Sequence, residues 1–299
     1  MTHPRPRETL ERCALRAQLR GDPMLGTAFP AGRILLVEQP GPWGPAGLRE
    51  SRFDPRIASE LEQRAAAGGI RTLAVRRFGR TPRGTVRKWG LVNCRPGHEV
   101  QRWGTYTDDA ELLDLPLDGS VGACDSLPTF LVCAHSRHDT CCALRGRPVS
   151  EALSQLRPGR VWECSHVGGE RFAANVLVLP TGLLYGRVLP FAAQEFVDAA
   201  EAGEVVGALL RGRVGFVPAA QAAMAFAHEQ LALRMVSEVR VVGVRRPEGE
   251  PIVVRLDTPH GVVDVTVVVE RTEPAKLTCR ATGPSAFLVH RPVGITSVI

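Results

Sequence analysis

Between residues 133 and 166 the 299-residue chain gathers four of its eight cysteines and three of its eight histidines. They lie in CAHSRHDTCCALRGRP, residues 133–148, and VWECSHVGGERFAAN, residues 161–175. Thiols and imidazoles at this density suit metal ligation or thiol redox chemistry. A zinc finger is not indicated, because paired C-x-x-C or H-x3-H motifs are absent and the Cys133-x8-Cys142 interval is longer than a zinc knuckle allows. Two cysteines bracketing a long loop, followed by Cys164 and His166 beside Gly168 and Gly169, suit a larger group. A [2Fe–2S] cluster fits, since it takes four ligands around a rhomb of two irons. The two glycines then let backbone approach the cluster and aim N–H groups at its sulfides.

These residues need rigid elements to bring them together. TFLVCAH from Thr129 reads as a buried strand, Cys142 to Leu156 carries helical spacing, and RVWECSH reads as the next strand. NVLVLP and LLYGRVL, separated by Thr181-Gly182, form a hairpin, and a helix follows from Phe191 to Ala202. The order β-α-β-β-α is that of a thioredoxin-like core. In it Cys133 closes one strand, Cys142 opens a helix whose N-terminus favours thiolate, and Cys164 with His166 ends the neighbouring strand.

The flanks differ in class. RILLVE from Arg33, a helix over residues 55–67 with Pro55 at an allowed first position, and the runs RTLAVRRFG, KWGLVNC and VQRWGTY indicate an α/β domain over residues 1–122. The thioredoxin-like core takes residues 123–217. A helix from Pro218, followed by VRVVGVRR, IVVRLDT, VVDVTVVVE and KLTCRA as antiparallel strands, makes an α+β domain over residues 218–299. No internal repeat stands out.

Composition excludes several functions. Hydrophobic residues at 44% and charged residues at 23% are those of a globular protein. The longest uncharged stretches, residues 172–186 and 214–228, are broken by Pro180 and Pro218, so no membrane span is expected. The N-terminus has no apolar secretory core, and a soluble cytoplasmic protein is expected, where clustered cysteines are ligands or catalysts rather than disulfides. The net charge of +6 comes almost wholly from arginine, with lysine only at Lys88 and Lys276. The arginines are spread along the chain and aromatic residues make up 5%, so nucleic acid is not an expected partner.

CAHSRHDTCCALRGRPVSEAL with VWECSHVGGERFAANVLVLPTGLLYGRV resembles the sucrase/ferredoxin-like family, and LLVEQPGPWG is similar to that family's opening strand and turn. The resemblance implies a thioredoxin-fold ferredoxin whose Cys-x8-Cys pair and H-x-G-G-H motif hold a [2Fe–2S] cluster through two cysteines and two histidines. Cys133 and Cys142 match the pair, and His166, Gly168 and Gly169 match the motif up to its last residue, where Glu170 replaces the second histidine. Cys164 is the preferred fourth ligand, since residues i and i+2 of a strand share a side and thiolate suits iron; Glu170 and Cys141 are the alternatives.

The remaining candidates have plainer readings. Cys141 packs into the core or is a spare thiol, and His135 and His138 are loop residues, exposed or bonded to Asp139. Cys13, Cys94, Cys124 and Cys279 are isolated structural cysteines. Arg137, Arg145 and Arg147 are either a solvated face or a positive surround that raises the potential and docks an acidic donor. Sugar cleavage needs facing carboxylates, and Asp108, Asp109 and Glu111 lie in a turn with no cleft to serve. The expected function is one-electron transport by an iron-sulfur protein, a carrier more than an enzyme, that docks to a separate reductase and acceptor. A thiol-disulfide or thiol-peroxide enzyme and a structural zinc protein are the competing readings.

Overall fold

A computed structural model describes residues 12–79, 86–246 and 248–298. A short helix, α1 (Cys13–Leu19), precedes a unit built from β1 (Arg33–Glu38), α2 (Pro55–Ala67), β2 (Ile70–Arg76), β3 (Arg87–Asn93) and β4 (Val100–Tyr106). Local chemistry sets α2: the Asp54 carboxylate accepts the N–H groups of Arg56 and Ile57, Pro55 occupies the first turn, and Ala58, Leu61 and Ala65 share the buried face. β5 (Ala123–Asp125) pairs with β4 at the outer edge of this first unit, and the next unit comprises β6 (Thr129–Cys133), α3 (Thr140–Leu156), β7 (Val161–Cys164), β8 (Val176–Leu179), β9 (Leu183–Tyr185), α4 (Ala193–Ala202) and β10 (Leu210–Arg213).

The ten strands form one mixed sheet in the order β10-β9-β8-β6-β7-β2-β1-β3-β4-β5. In the second unit β6 runs parallel to β7 and antiparallel to β8, which pairs antiparallel with β9. This is the thioredoxin-like order expected from the sequence. The first unit repeats it, with β1 parallel to β2, antiparallel to β3, and β3 antiparallel to β4. The repeat lies in topology, not in residue types, and so left no mark in the sequence. The units join edge to edge where β2 meets β7, Val75 opposite Cys164 and Arg76 opposite Glu163.

The sheet curls so that one face of both units shares a core, including Ile34, Leu36, Val75, Leu131, Trp162 and Leu177. On the other face Phe130, Val132, Val176 and Val178 pack against Val149 and Leu153 of α3 and Phe196 and Val197 of α4. With β6, β7 and β8 buried on both faces, they read as largely apolar runs, the exception being Glu163 of β7, which is buried and paired with Arg76.

Beyond residue 217 lie α5 (Pro218–Gln230), β11 (Arg240–Arg245), β12 (Ile252–Thr258), β13 (Gly261–Arg271) and β14 (Leu288–Ser297), the strands forming an antiparallel sheet in sequence order. Ile252, Val254 and Leu256 alternate inward with Val263, Val265 and Val267 onto the alanine-rich face of α5. The expected strand KLTCRA is not one. It belongs to the connection 272–287, bounded by Pro274 and Pro284 and held by a single bridge between Ala275 and Ser285. The last strand is instead β14, whose register against β13 slips where Pro292, with no N–H to donate, faces Val267. No helix among the described residues is long and apolar enough to cross a membrane.

The approach of α3 to β6 is the contact that positions the cysteines. A Cβ on Gly146 would lie 2.2 Å from the Cys133 carbonyl oxygen, a backbone atom that cannot swing aside. Gly146→Ala should therefore push α3 off the end of β6 and cost about 1–3 kcal/mol, as overpacked cores do. Chemical denaturation would register it, and an unchanged midpoint would show that the helix shifts freely.

Candidate metal centre

Cys133 ends β6, and the chain then crosses a short loop to Asp139, whose carboxylate caps α3 by accepting the Cys141 N–H at 2.8 Å. The cap directs Cys142 inward at the helix start. His166 follows β7, and its Nδ1 lies 3.6 Å from the Cys142 sulfur and 3.9 Å from that of Cys133. The three donors form one compact group able to hold a metal ion. On the other side of the ring, His166 Nε2 is 3.3 Å from a carboxylate oxygen of Glu170. The His138 ring stacks on that of His166, centroids 3.7 Å apart, and His138, His166 and Glu170 form a second group of mutually close donors.

Cys133 and Cys142 are fully buried, whereas the His166 side chain is 14% exposed. His138 and His166 face a cleft of about 240 Å³ whose opposite wall is the 45–48 loop together with Arg71. The group is thus dry on its sulfur side and open on its imidazole side.

The charges are strongly coupled. A hydrogen bond from Cys142, acting against burial and joined by His166, holds the Cys133 thiol well below its ordinary value. The hydrogen bond to Cys133, together with burial, pushes the Cys142 thiol up. Burial opposes a charged His166, but the bonds to Cys133 and Glu170 prevail and raise it to about 9. Burial likewise opposes the Glu170 carboxylate, and His166 outweighs it, leaving Glu170 below its ordinary value. The bonds among Cys133, His166 and Glu170 thus favour the charged form of each.

Cys164 is placed differently from the other sequence candidates. Its backbone pairs with Cys133 across β6 and β7, and it is wholly buried, but its sulfur is not within the group of Cys133, Cys142 and His166. The strand ends at Cys164, and Ser165 already bonds to Ala74, so the alternation that would put Cys164 and His166 on one side does not reach His166. Gly168 and Gly169 both adopt positive φ, 85° and 70°. A Cβ on Gly169 would strike the Arg211 guanidinium at 2.4 Å, whereas Gly168 borders open space. The N–H of Val167 bonds the Cys133 sulfur, so this turn does direct backbone at a thiolate.

Several contributors were not expected. Arg211, 1% exposed, donates to Thr27 Oγ1 and O, to Gly168 O and to Asn175 Oδ1 at 2.7–3.0 Å. Arg71 donates to the His166 carbonyl at 2.8 Å, so a buried guanidinium lies on each side of the centre. His135 is buried rather than exposed: it bonds the Gly44 carbonyl through Nε2 at 2.8 Å and accepts the His166 N–H at Nδ1. Arg145 and Arg147 bond to the Ala173 carbonyl and to Glu163, and Arg137 is exposed. Of the cysteines taken as isolated, Cys94 is buried beside Arg213, Cys124 is exposed on the edge strand β5, and Cys13 and Cys279 meet Cys141. Only a long-range contact, 266 residues apart in sequence, makes that last grouping visible.

A family model described as sucrase/ferredoxin-like matches residues 24–212. The chain belongs to the sucrase/ferredoxin-like family. Neither a curated protein nor a solved structure matches it. The family match takes in the nine strands from β1 to β9 with most of β10, and the whole Cys133, Cys142 and His166 centre, and it leaves Cys13 and Cys279 outside.

In this family member Arg211 is the brace beneath the Gly-Gly turn. Arg211→Met would leave the Thr27 and Gly168 carbonyls and the Asn175 amide oxygen without their donor. A loss on the order of 3 kcal/mol in unfolding free energy is expected, measured by denaturant titration, and a variant as stable as the parent would mean that water substitutes for the guanidinium.

Proposed function

We propose that this protein is a one-electron carrier whose [2Fe–2S] cluster is held by Cys133, Cys142, His166 and Glu170. The observation that carries the reading is the convergence of two buried sulfurs and an imidazole nitrogen within 3.9 Å of that nitrogen, at the edge of an open cleft. Two thiolates with imidazole nitrogen are a mixed set of the kind that iron-sulfur centres accept, and a carboxylate is a harder fourth donor than either. When bound, such a cluster takes up and returns a single electron. The protein's own residues do the rest. Cys133 and Cys142 anchor the dry side, His166 and His138 bring the wet side to the cleft, and Arg71 and Arg211 offset the negative charge that thiolates and sulfides accumulate.

Glu170 is preferred over Cys164 for the fourth position because it stands at the last place of the family motif, although here its carboxylate meets the Nε2 edge of His166, opposite the edge that faces the two sulfurs. His138, stacked on the same ring, is next in reach. A carboxylate is anionic where the motif's imidazole is neutral, so it stabilises the oxidised cluster and lowers its potential. The partners on this reading are a reductase and an acceptor that dock over the cleft, reaching the cluster through the histidine edge.

The thiolate-imidazolium pair of Cys133 and His166 is the one feature that favours a thiol redox enzyme instead. Both sulfurs are sealed from solvent, which denies a disulfide or peroxide substrate its line of attack.

Protein produced with iron and sulfide available should carry about two irons and two sulfides per chain and be red-brown. Cys133→Ser and Cys142→Ser should abolish the colour, and Cys164→Ser should keep it. Colourless protein with zinc in place of iron would overturn the reading. Glu170→His, which restores the family motif, should raise the midpoint potential in a redox titration; an unchanged potential with the cluster intact would remove Glu170 from the ligand set.

A further inference from the structure

Apart from the Cys133, Cys142 and His166 group, three more thiols meet beside α3. Cys13 on α1, Cys141 in the first turn of α3 and Cys279 in the 272–287 connection have sulfurs 3.6 Å (Cys13 to Cys141), 3.4 Å (Cys141 to Cys279) and 3.5 Å (Cys279 to Cys13) apart. The Asp139 carboxylate oxygens stand 3.7 and 3.8 Å from the Cys13 sulfur. Cys13, Cys141 and Asp139 are buried, and Cys279 is partly so.

We propose that Cys13, Cys141, Cys279 and Asp139 form a second, structural site that binds one zinc(II) ion. A tetrahedral ion with Zn–S bonds of about 2.3 Å has sulfur-sulfur edges of about 3.8 Å. The observed triangle is nearly that size, with the carboxylate in the fourth direction. A two-iron rhomb would split four ligands into two separated pairs, so three mutually close sulfurs fit a single ion. Four protein donors leave no open position, which is the mark of a structural rather than a catalytic zinc.

The four donors come from three places in the chain: α1, the start of α3 and the 272–287 connection. Asp139 accepts the Cys141 and Cys279 N–H groups at 2.8 Å through different oxygens, and the Cys13 N–H points at the Cys279 sulfur. The Arg171 guanidinium, close enough to Cys13 for their charges to interact, offsets part of the negative charge. Cys141 and Cys142 are adjacent in sequence and serve different sites, Cys142 facing His166 and Cys141 facing away. Cys13 and Cys279 lie outside the stretch that matches the family, so this site belongs to this chain's additions to the family core. Its effect is to clip α1 and the 272–287 connection onto the helix that carries Cys142. A link that closes loops of this length removes much unfolded-state entropy.

The test is metal analysis of the full-length protein together with cobalt(II) replacement. The expected result is about one zinc per chain in addition to any iron, with X-ray absorption at the zinc edge fitting three sulfurs at about 2.3 Å and one oxygen at about 2.0 Å. Cys279→Ser and Cys13→Ser should each lose the zinc, lower the melting temperature and open residues 272–287 to protease. Should Cys13→Ser fail to fold, Cys279→Ser, altered on a half-exposed connection, still reports the zinc content. Cys133→Ser should lose any iron and keep the zinc, which separates failure of the redox reading from failure of this one. Protein from metal-replete cells that lacks zinc, shows no thiolate-to-cobalt absorption on cobalt addition, or holds a disulfide among these cysteines under reducing conditions overturns the proposal.

Discussion

Asp139 accepts the amide of Cys141 at the start of α3 and the amide of Cys279 from a segment 140 residues away, both at 2.8 Å. One carboxylate thus fixes the helix N-terminus, the direction of the adjacent cysteines and the point where the C-terminal part of the chain touches the core. The position is demanding, because a helix start leaves N–H groups unpaired and a buried carboxylate must find donors for its charge. Each requirement is met by the other. Gly146, nearly two turns further on, allows the same helix to press on the Cys133 carbonyl, so the sulfur of β6 and that of α3 are held by rigid elements rather than by loops.

The doubled thioredoxin-like topology gives the centre walls as well as ligands. The second unit supplies Cys133, Cys142 and His166. The first unit has no cysteine at the end of β1 or the start of α2; its 39–54 connection instead reaches over the join between β2 and β7. There the Gly44 carbonyl holds His135, which holds the His166 backbone, and Arg71 of β2 bonds the His166 carbonyl. Edge strands are prone to pair with whatever strand is exposed nearby. Here β2 and β7 satisfy one another, and the pairing brings the positioning residues of one unit to the ligands of the other.

Most elements were legible in the sequence because their signals are local: apolar runs for β1, β2, β6 and β8, Asp54-Pro55 for the start of α2, Thr181-Gly182 for the hairpin. The core of the site was legible for the same reason, since Cys133, Cys142 and His166 fall within 34 residues and a motif ties them. What was hidden is non-local. Nothing in residues 70–76 or 161–164 announces that those strands pair antiparallel. Cys13 and Cys279 each look solitary until the chain is closed around them. KLTCRA has strand composition, but a strand also needs a partner, and Cys279 is instead drawn towards Asp139 and Cys141. Cys164 misled because strand alternation was extended past the strand's last residue.

The abundance of arginine, which as composition suggests only a coding bias, has a structural use at the centre. Arg211 serves four acceptors in three directions from a position with 1% exposure. A lysine ammonium offers a point charge and could not span Thr27, Gly168 and Asn175 at once. Burial lowers the Arg211 pKa to about 9, with the nearby Cys133 and Glu170 among the charges that oppose this, so the guanidinium stays charged at neutral pH. That fixed positive charge lies under the Gly168-Gly169 turn, where Glu170 brings a negative one. The carboxylate and the buried arginine near it therefore form one electrostatic unit: the carboxylate adds charge that would otherwise be costly in a dry site, and the guanidinium beneath the turn compensates it.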